Sequence, residues 1–207
     1  MLAIVFGEIL FFIISPEAKD FLKKYILLCV ILSLYMYIVS MYAISCYENV
    51  RRTVPLNFIV LTIMSMSLGV VISCACIHYQ LRIIILAICY TFALSLSVSI
   101  LAAYCPIDIT KFGVLIFVMG AIILIMAVIT SFLLSHVYFE YKKAEIILGA
   151  VGVFVFSIYL AYDTQLIMGG RKEEISPAEY VLAVVILFTD IINIFMCMLN
   201  LINGEEG

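Results

Sequence analysis

The stretch FSIYLAYDTQLIMGG (156–170), followed after a short polar link by YVLAVVILFTDIINIFMCML (180–199), places one acid, Asp163 and then Asp190, inside each of two consecutive apolar segments. Each segment has the composition of a helix that crosses a bilayer, which takes about 20 apolar residues. A carboxylate at bilayer depth costs roughly 2.5–3.5 kcal/mol on insertion scales, so it faces a partner or a wet cavity and by default marks an ion or proton site. Two such acids on neighbouring helices are the feature around which the rest is read.

Composition gives the class. Of 207 residues, 67% are hydrophobic and 12% charged, and the mean hydropathy is +1.28. That leaves too little polar surface to cover a soluble globule, so the chain is expected to be an integral membrane protein with the lipid bilayer as its partner. Seven apolar stretches with short loops use up nearly the whole length. The expectation is an all-α polytopic bundle of seven transmembrane helices with a short first helix, forming one domain over 1–207. A net charge of -3, with basic residues scattered singly or in pairs, excludes nucleic-acid binding.

The seven cysteines are an odd set and most fall inside apolar runs, where cysteine behaves as a small hydrophobe. Cys74 and Cys76 are two apart on an expected helix, which turns them roughly 200° away from each other and makes them poor joint metal ligands. His78 and His136 lack a partner motif, no glycine-rich phosphate loop or nucleophile arrangement is present, and no cofactor is expected.

In chain order, residues 2–14 make a short first helix, too few to span unaided. Ser15-Pro16 ends it and the charged residues to Lys24 read as a loop. Helices are expected over about 25–47, with Tyr35, Tyr37, Tyr42 and Tyr47 as interface anchors, from Pro55 to about 77, over 83–104, over 112–135 and over 146–168. The last of these ends at Gly169-Gly170, where a left-handed cap is cheap for glycine. Ser176, Pro177 and Glu179 form a capping box that opens a seventh helix running to about 202. Odd-numbered loops hold six Lys/Arg and even-numbered loops five, so charge does not choose an orientation.

At 100° per residue, Glu179 and Asp190 return to within about 20° of one face, close to Ala183, Ile186 and Asn193. That face combines acids, small and apolar groups and an amide, as the lining of a narrow path would. The Asp163 face of the preceding helix includes Gly149, Gly152, Phe156 and Tyr159, and the glycines let another helix approach closely. Counting from the shared loop, the two aspartates differ in depth by roughly 8–12 Å, which tilt reduces, so that they can meet. Two carboxyls sharing a proton titrate as a unit and form a switch. Arg51 or Arg52, at the mouth of the third helix, supplies a counter-charge.

The segments AYDTQLIMGG (161–170), ISPAEYVLAVVILFTDIINIFMCML (175–199), RRTVPLN (51–57) and IDITKFG (107–113) together resemble the transmembrane Bax inhibitor motif family, nearest its lifeguard branch. The likeness extends from about residue 50 to 203. It implies a seven-helix bundle with the last helix central, in endoplasmic reticulum or Golgi membranes with the plasma membrane as another location. It also implies a passive, pH-sensitive calcium leak that suppresses cell death, with membrane-protein partners in cell-death or calcium-release pathways. By the same resemblance Asp163 and Asp190 match the paired aspartates of the proton sensor and a transient calcium contact, and Arg51 or Arg52 falls where a basic residue stands near that pair. Glu179 and Asn193 are assigned to the pore mouth and lining. Two departures stand out: Ala178 occupies the position after Ser-Pro where an acid is usual, and the N-terminus lacks the usual polar tail and full first helix.

Two other function classes compete. An intramembrane aspartyl protease also places Tyr-Asp on one helix and Asp on the next, but such enzymes resemble one another in a Gly-x-Gly-Asp, and here Leu187-Phe188-Thr189 precedes Asp190. The chain is therefore not expected to be an enzyme. A non-conducting, anti-apoptotic membrane interaction protein is the alternative to the leak, favoured by the short first helix.

Overall fold

The computed structural model describes residues 1–122, 125 and 141–206. Every regular element among them is helical: α1 Leu2–Ile14, α2 Pro16–Lys24, α3 Ile26–Cys46, α4 Glu48–Arg52, α5 Leu56–Cys76, α6 Leu81–Tyr104, α7 Ile109–Ile122, α8 Tyr141–Met168 and α9 Tyr180–Glu206. Helix α7 opens with a 3-10 turn, Ile109–Phe112, and another, Pro177–Glu179, precedes α9. Five segments are long and apolar enough to cross a membrane: α3, α5, α6, Ile146–Met168 of α8, and Pro177–Gly204. The expected seven are thus five of full length among the described residues, with α1 and α7 as shorter apolar helices. At 13 residues, α1 is about 20 Å long against a hydrocarbon core of about 30 Å. The expected continuation of the fifth span to 135, and His136, lie outside the described residues.

Side chains confirm the environment. Only 6% of the α3 span is buried, and it presents Leu27, Leu28, Ile31, Leu32 and Tyr35 outward. Water does not tolerate an apolar band of that extent, whereas lipid does, provided each helix satisfies its own backbone. The chain is a multi-pass membrane protein. Its last span is 44% buried, the largest share of the five.

Contacts divide the chain into two compact units, Met1–Ile84 with Pro177–Phe188, and Ile85–Ser176 with Thr189–Gly207. In the first, α1 and α3 pack on α5. Residues 16–24, expected as a loop, form α2. The reason is local: Ser15 caps the helix by accepting from the Ala18 N–H, Pro16 takes the first position, Glu17 lies in the first turn and Lys23 and Lys24 in the last, each complementing the helix dipole. One apolar contact anchors it, Leu22 being buried with Cys74 and Ile77. The loop at 48–52 likewise closes into the short α4. Pro55 stands just outside α5 rather than within it, after a cis Val54–Pro55 bond.

In the second unit small residues set the helix spacing. The Tyr162 hydroxyl lies against Gly113, and the Tyr159 hydroxyl fills the space above Gly120 while donating to the Ile116 carbonyl at 2.8 Å, so α7 and α8 meet across glycine. A Cβ at Gly149 would stand 2.9 Å from both the Cys197 carbonyl oxygen and the Leu201 nitrogen, which are backbone atoms of α9, and one at Gly152 would meet the Cys197 Sγ. The glycines on the Asp163 face therefore admit α9.

Backbone cannot yield as a side chain does. Gly149→Ala is expected to destabilise the protein by about 1–3 kcal/mol through overpacking, lowering the temperature at which detergent-solubilised protein leaves its monodisperse chromatographic peak. Gly152→Ala is expected to lose much less when Cys197→Ala is added.

Candidate functional site

Helix α8 carries Asp163 near its C-terminal end and α9 carries Asp190 in its first half, both within the second unit. The two carboxyls come within hydrogen-bonding reach of each other, on the same two helices that meet closely at Gly149 and Gly152. Asp163 is 9% exposed and Asp190 7%. Among the described residues the buried Asp190 Oδ2 has no hydrogen-bond donor. Two carboxylates are acceptors only, so contact between them becomes a hydrogen bond when one carries a proton.

The pair offers an ion little else. Among the described residues no group of three or more His, Cys, Asp or Glu side chains gathers as a metal site, and calcium takes 6–8 oxygen ligands. Asn193 follows on α9, half-buried.

Gln165, two residues after Asp163, escaped the sequence reading. It is 1% exposed yet fully employed. Its Nε2 donates to the Ala102 and Ile107 carbonyls at 3.2 and 3.0 Å, and its Oε1 accepts from the Ile109 N–H at 2.9 Å. The link after α8 folds back beside it: Gly169 and Gly170 adopt φ of 71° and 70°, and the Ile175 N–H donates to the Leu166 carbonyl at 2.9 Å. From that link Arg171 donates to the Cys105 carbonyl at 2.6 Å. Asp108 accepts from the Thr110 hydroxyl and N–H and from the Lys172 N–H. The Thr110 hydroxyl above all, then Lys172 and Lys111, hold the Asp108 carboxyl below its ordinary value. Its support for the loop is accordingly present above the unfolded carboxyl's pKa and is lost as pH falls through the lowered one.

Within the first unit, Arg51 Nε pairs with Glu179 Oε2 at 2.6 Å and Arg52 Nη2 with Glu179 Oε1 at 2.7 Å. Arg51 Nη1 also donates to the Ile44 and Ser45 carbonyls, both at 2.9 Å, at the end of α3, where a cation answers the helix dipole. Glu179, and after it Glu48, stabilise the charged form of the Arg52 guanidinium. Both guanidiniums are thus engaged by Glu179. The count that puts Glu179 and Asp190 on one face does not run through the 3-10 turn in which Glu179 lies. Completely buried Asn57 completes the cluster, donating to the Tyr180 hydroxyl and the Arg51 carbonyl.

The profile of the family described as "Inhibitor of apoptosis-promoting Bax1" matches residues 1–207. The chain belongs to this Bax1-inhibitor family. Mouse Protein lifeguard 3 is 29% identical over 171 residues, 83% of this chain and 55% of that protein. Human Protein lifeguard 3 is 31% identical over 172 residues, 83% and 54% respectively. Mouse Protein lifeguard 4 is 35% identical over 97 residues, 47% of this chain and 37% of that protein. This Bax1-inhibitor chain spans about half the length of the lifeguard 3 proteins it matches.

Replacing Gln165 with Met strands two carbonyls and one N–H in the interior. The expected cost is about 1–3 kcal/mol, seen as faster tryptic cleavage at Lys111 and Arg171, with Gln165→Asn intermediate.

Proposed function

We propose that this Bax1-inhibitor protein is a pH-sensitive calcium leak of intracellular membranes, endoplasmic reticulum or Golgi, which lowers store calcium and thereby restrains apoptosis. The observation that carries the reading is the contact of two buried carboxyls, Asp163 and Asp190, on adjacent membrane helices. When the pair holds one proton the carboxyls bind each other and α8 stays closed on α9. When both ionise, two like charges in a medium of low dielectric repel, and the contact opens. Calcium is the cargo that two carboxylates and the Asn193 amide would meet on the way. Family membership and the names of the relatives support the restraint of apoptosis.

A second reading, a non-conducting protein that acts by binding other membrane proteins in cell-death or calcium-release pathways, is favoured by one observation. Glu179, the acid assigned to the pore mouth, is neutralised by Arg51 and Arg52 and has little charge left to draw cations.

Calcium flux from proteoliposomes separates the two. The leak reading expects wild-type flux to differ between pH 6 and pH 7.5 and the flux of Asp190→Asn to be the same at both, because an asparagine amide donates to Asp163 whatever the pH. A variant whose flux matches wild type at both values would remove the gate. Death suppression kept intact by Asp163→Asn with Asp190→Asn would favour the binding protein.

A further inference from the structure

Glu8 is the acid that the proposed function leaves unused. It lies within α1, among residues otherwise apolar, and the flanking Val5 and Ile9 are completely buried. Across from it, in the same unit, the carboxyl occupies the space that a side chain would take at Gly69 of α5. A Cβ there would fall far inside contact with the Glu8 Oε2, 3.0 Å from its Cδ and 3.4 Å from the Val5 Cα. Only glycine leaves the notch open.

Among the described residues the notch offers the carboxyl no donor. Glu8 is half-buried, and its Oε2 is the buried, unpartnered oxygen. Helix α5 carries no Asp, Glu, Lys, Arg or His from Leu56 to Cys76, its titratable groups being Cys74 and Cys76. Ser65 and Ser73, one turn to either side of Gly69, have already given their hydroxyl protons to the Leu61 and Gly69 carbonyls, each at 2.7 Å. Helix α2, also packed on α1, brings Glu17, Lys19, Asp20, Lys23 and Lys24, and among the described residues none is ion-paired with Glu8. An ionised carboxylate has nothing to replace its water there, whereas the neutral acid loses far less on entry.

We infer that Glu8 is a second proton-binding site, on the α1–α5 interface: the carboxyl enters the Gly69 notch as the neutral acid and leaves it on ionising, so that a proton governs the docking of α1 onto α5. The site has its own residues and its own unit, separate from the aspartate pair.

Full-length protein in phosphatidylcholine nanodiscs tests this with two readouts. Dicyclohexylcarbodiimide adds to a protonated carboxyl buried in lipid: the acid's proton passes to a carbodiimide nitrogen, a carboxyl oxygen bonds the central carbon, and the adduct rearranges to a stable N-acylurea. Mass spectrometry of the N-terminal peptide is expected to find Glu8 labelled at pH 6 and several-fold less at pH 9. Amide exchange of α1, corrected for intrinsic rates, is expected to speed up several-fold over the same range in wild type and to stay slow in Glu8→Gln. Gly69→Ala is expected to expose α1 at every pH, and adding Glu8→Ala to restore protection, since the clash is with the carboxyl. No label on Glu8 at any pH, equal pH response in Glu8→Gln, or a double variant no better protected than Gly69→Ala would each overturn the inference.

Discussion

Contact between two carboxyls inside an apolar helical unit is the constraint on which the second unit depends. Among the described residues neither Asp163 nor Asp190 is ion-paired with a basic side chain. Their compatibility with burial therefore rests on distance and protonation. Distance is set by backbone: Gly149 and Gly152 let α9 come so close that a methyl group would collide with it. The end of α8 is then held by Gln165, whose amide joins the Ala102 carbonyl of α6 to the Ile107 carbonyl and Ile109 N–H at the α6–α7 connection, and by the Arg171 and Asp108 contacts around it. A polar pair in a dry interior is only as stable as the packing that keeps it registered.

The first unit solves a different electrostatic problem. Arg51 accepts two duties, closing the carbonyl end of α3 and pairing with Glu179, and Asn57 ties the same corner to Tyr180. The start of the last membrane helix is thereby fixed by charge pairing at its mouth rather than by its cap residues alone. Because Arg52 is about half exposed, its share is that of a surface pair and weak. Arg51 and Glu179 are each 16% exposed in their side chains.

Much of the architecture is legible in sequence because lipid imposes simple rules. Runs such as ILLCVILSLYMYIVSMYAISC and LNFIVLTIMSMSLGVVISCAC define α3 and α5 to within a residue or two, and Gly169-Gly170 marks the end of α8 through its left-handed backbone. The aspartates are legible for the same reason, since an acid in such a run stands out. What escapes depends on partners distant in the chain. Helix α2 has the same Ser-Pro opening that identifies the seventh span at 176–177, but its charged residues mask a single buried leucine. Gln165 reads as an ordinary polar residue until the 105–109 connection folds onto it. Arg51 and Arg52 are 128 and 127 residues from Glu179, and no local period links them. Gly113 and Gly120 gain meaning only from the tyrosines that fill them.

Infrared difference spectroscopy of the protein in lipid, following the carbonyl band that only a protonated carboxylic acid shows, is the most direct measurement of the central claim. If Asp163 and Asp190 hold one proton between them, a single band disappears on alkalinisation in a Glu8→Gln background, and either Asp163→Asn or Asp190→Asn alone removes or shifts that same band. Two aspartates that ionise independently, each band indifferent to loss of the other residue, would contradict the account.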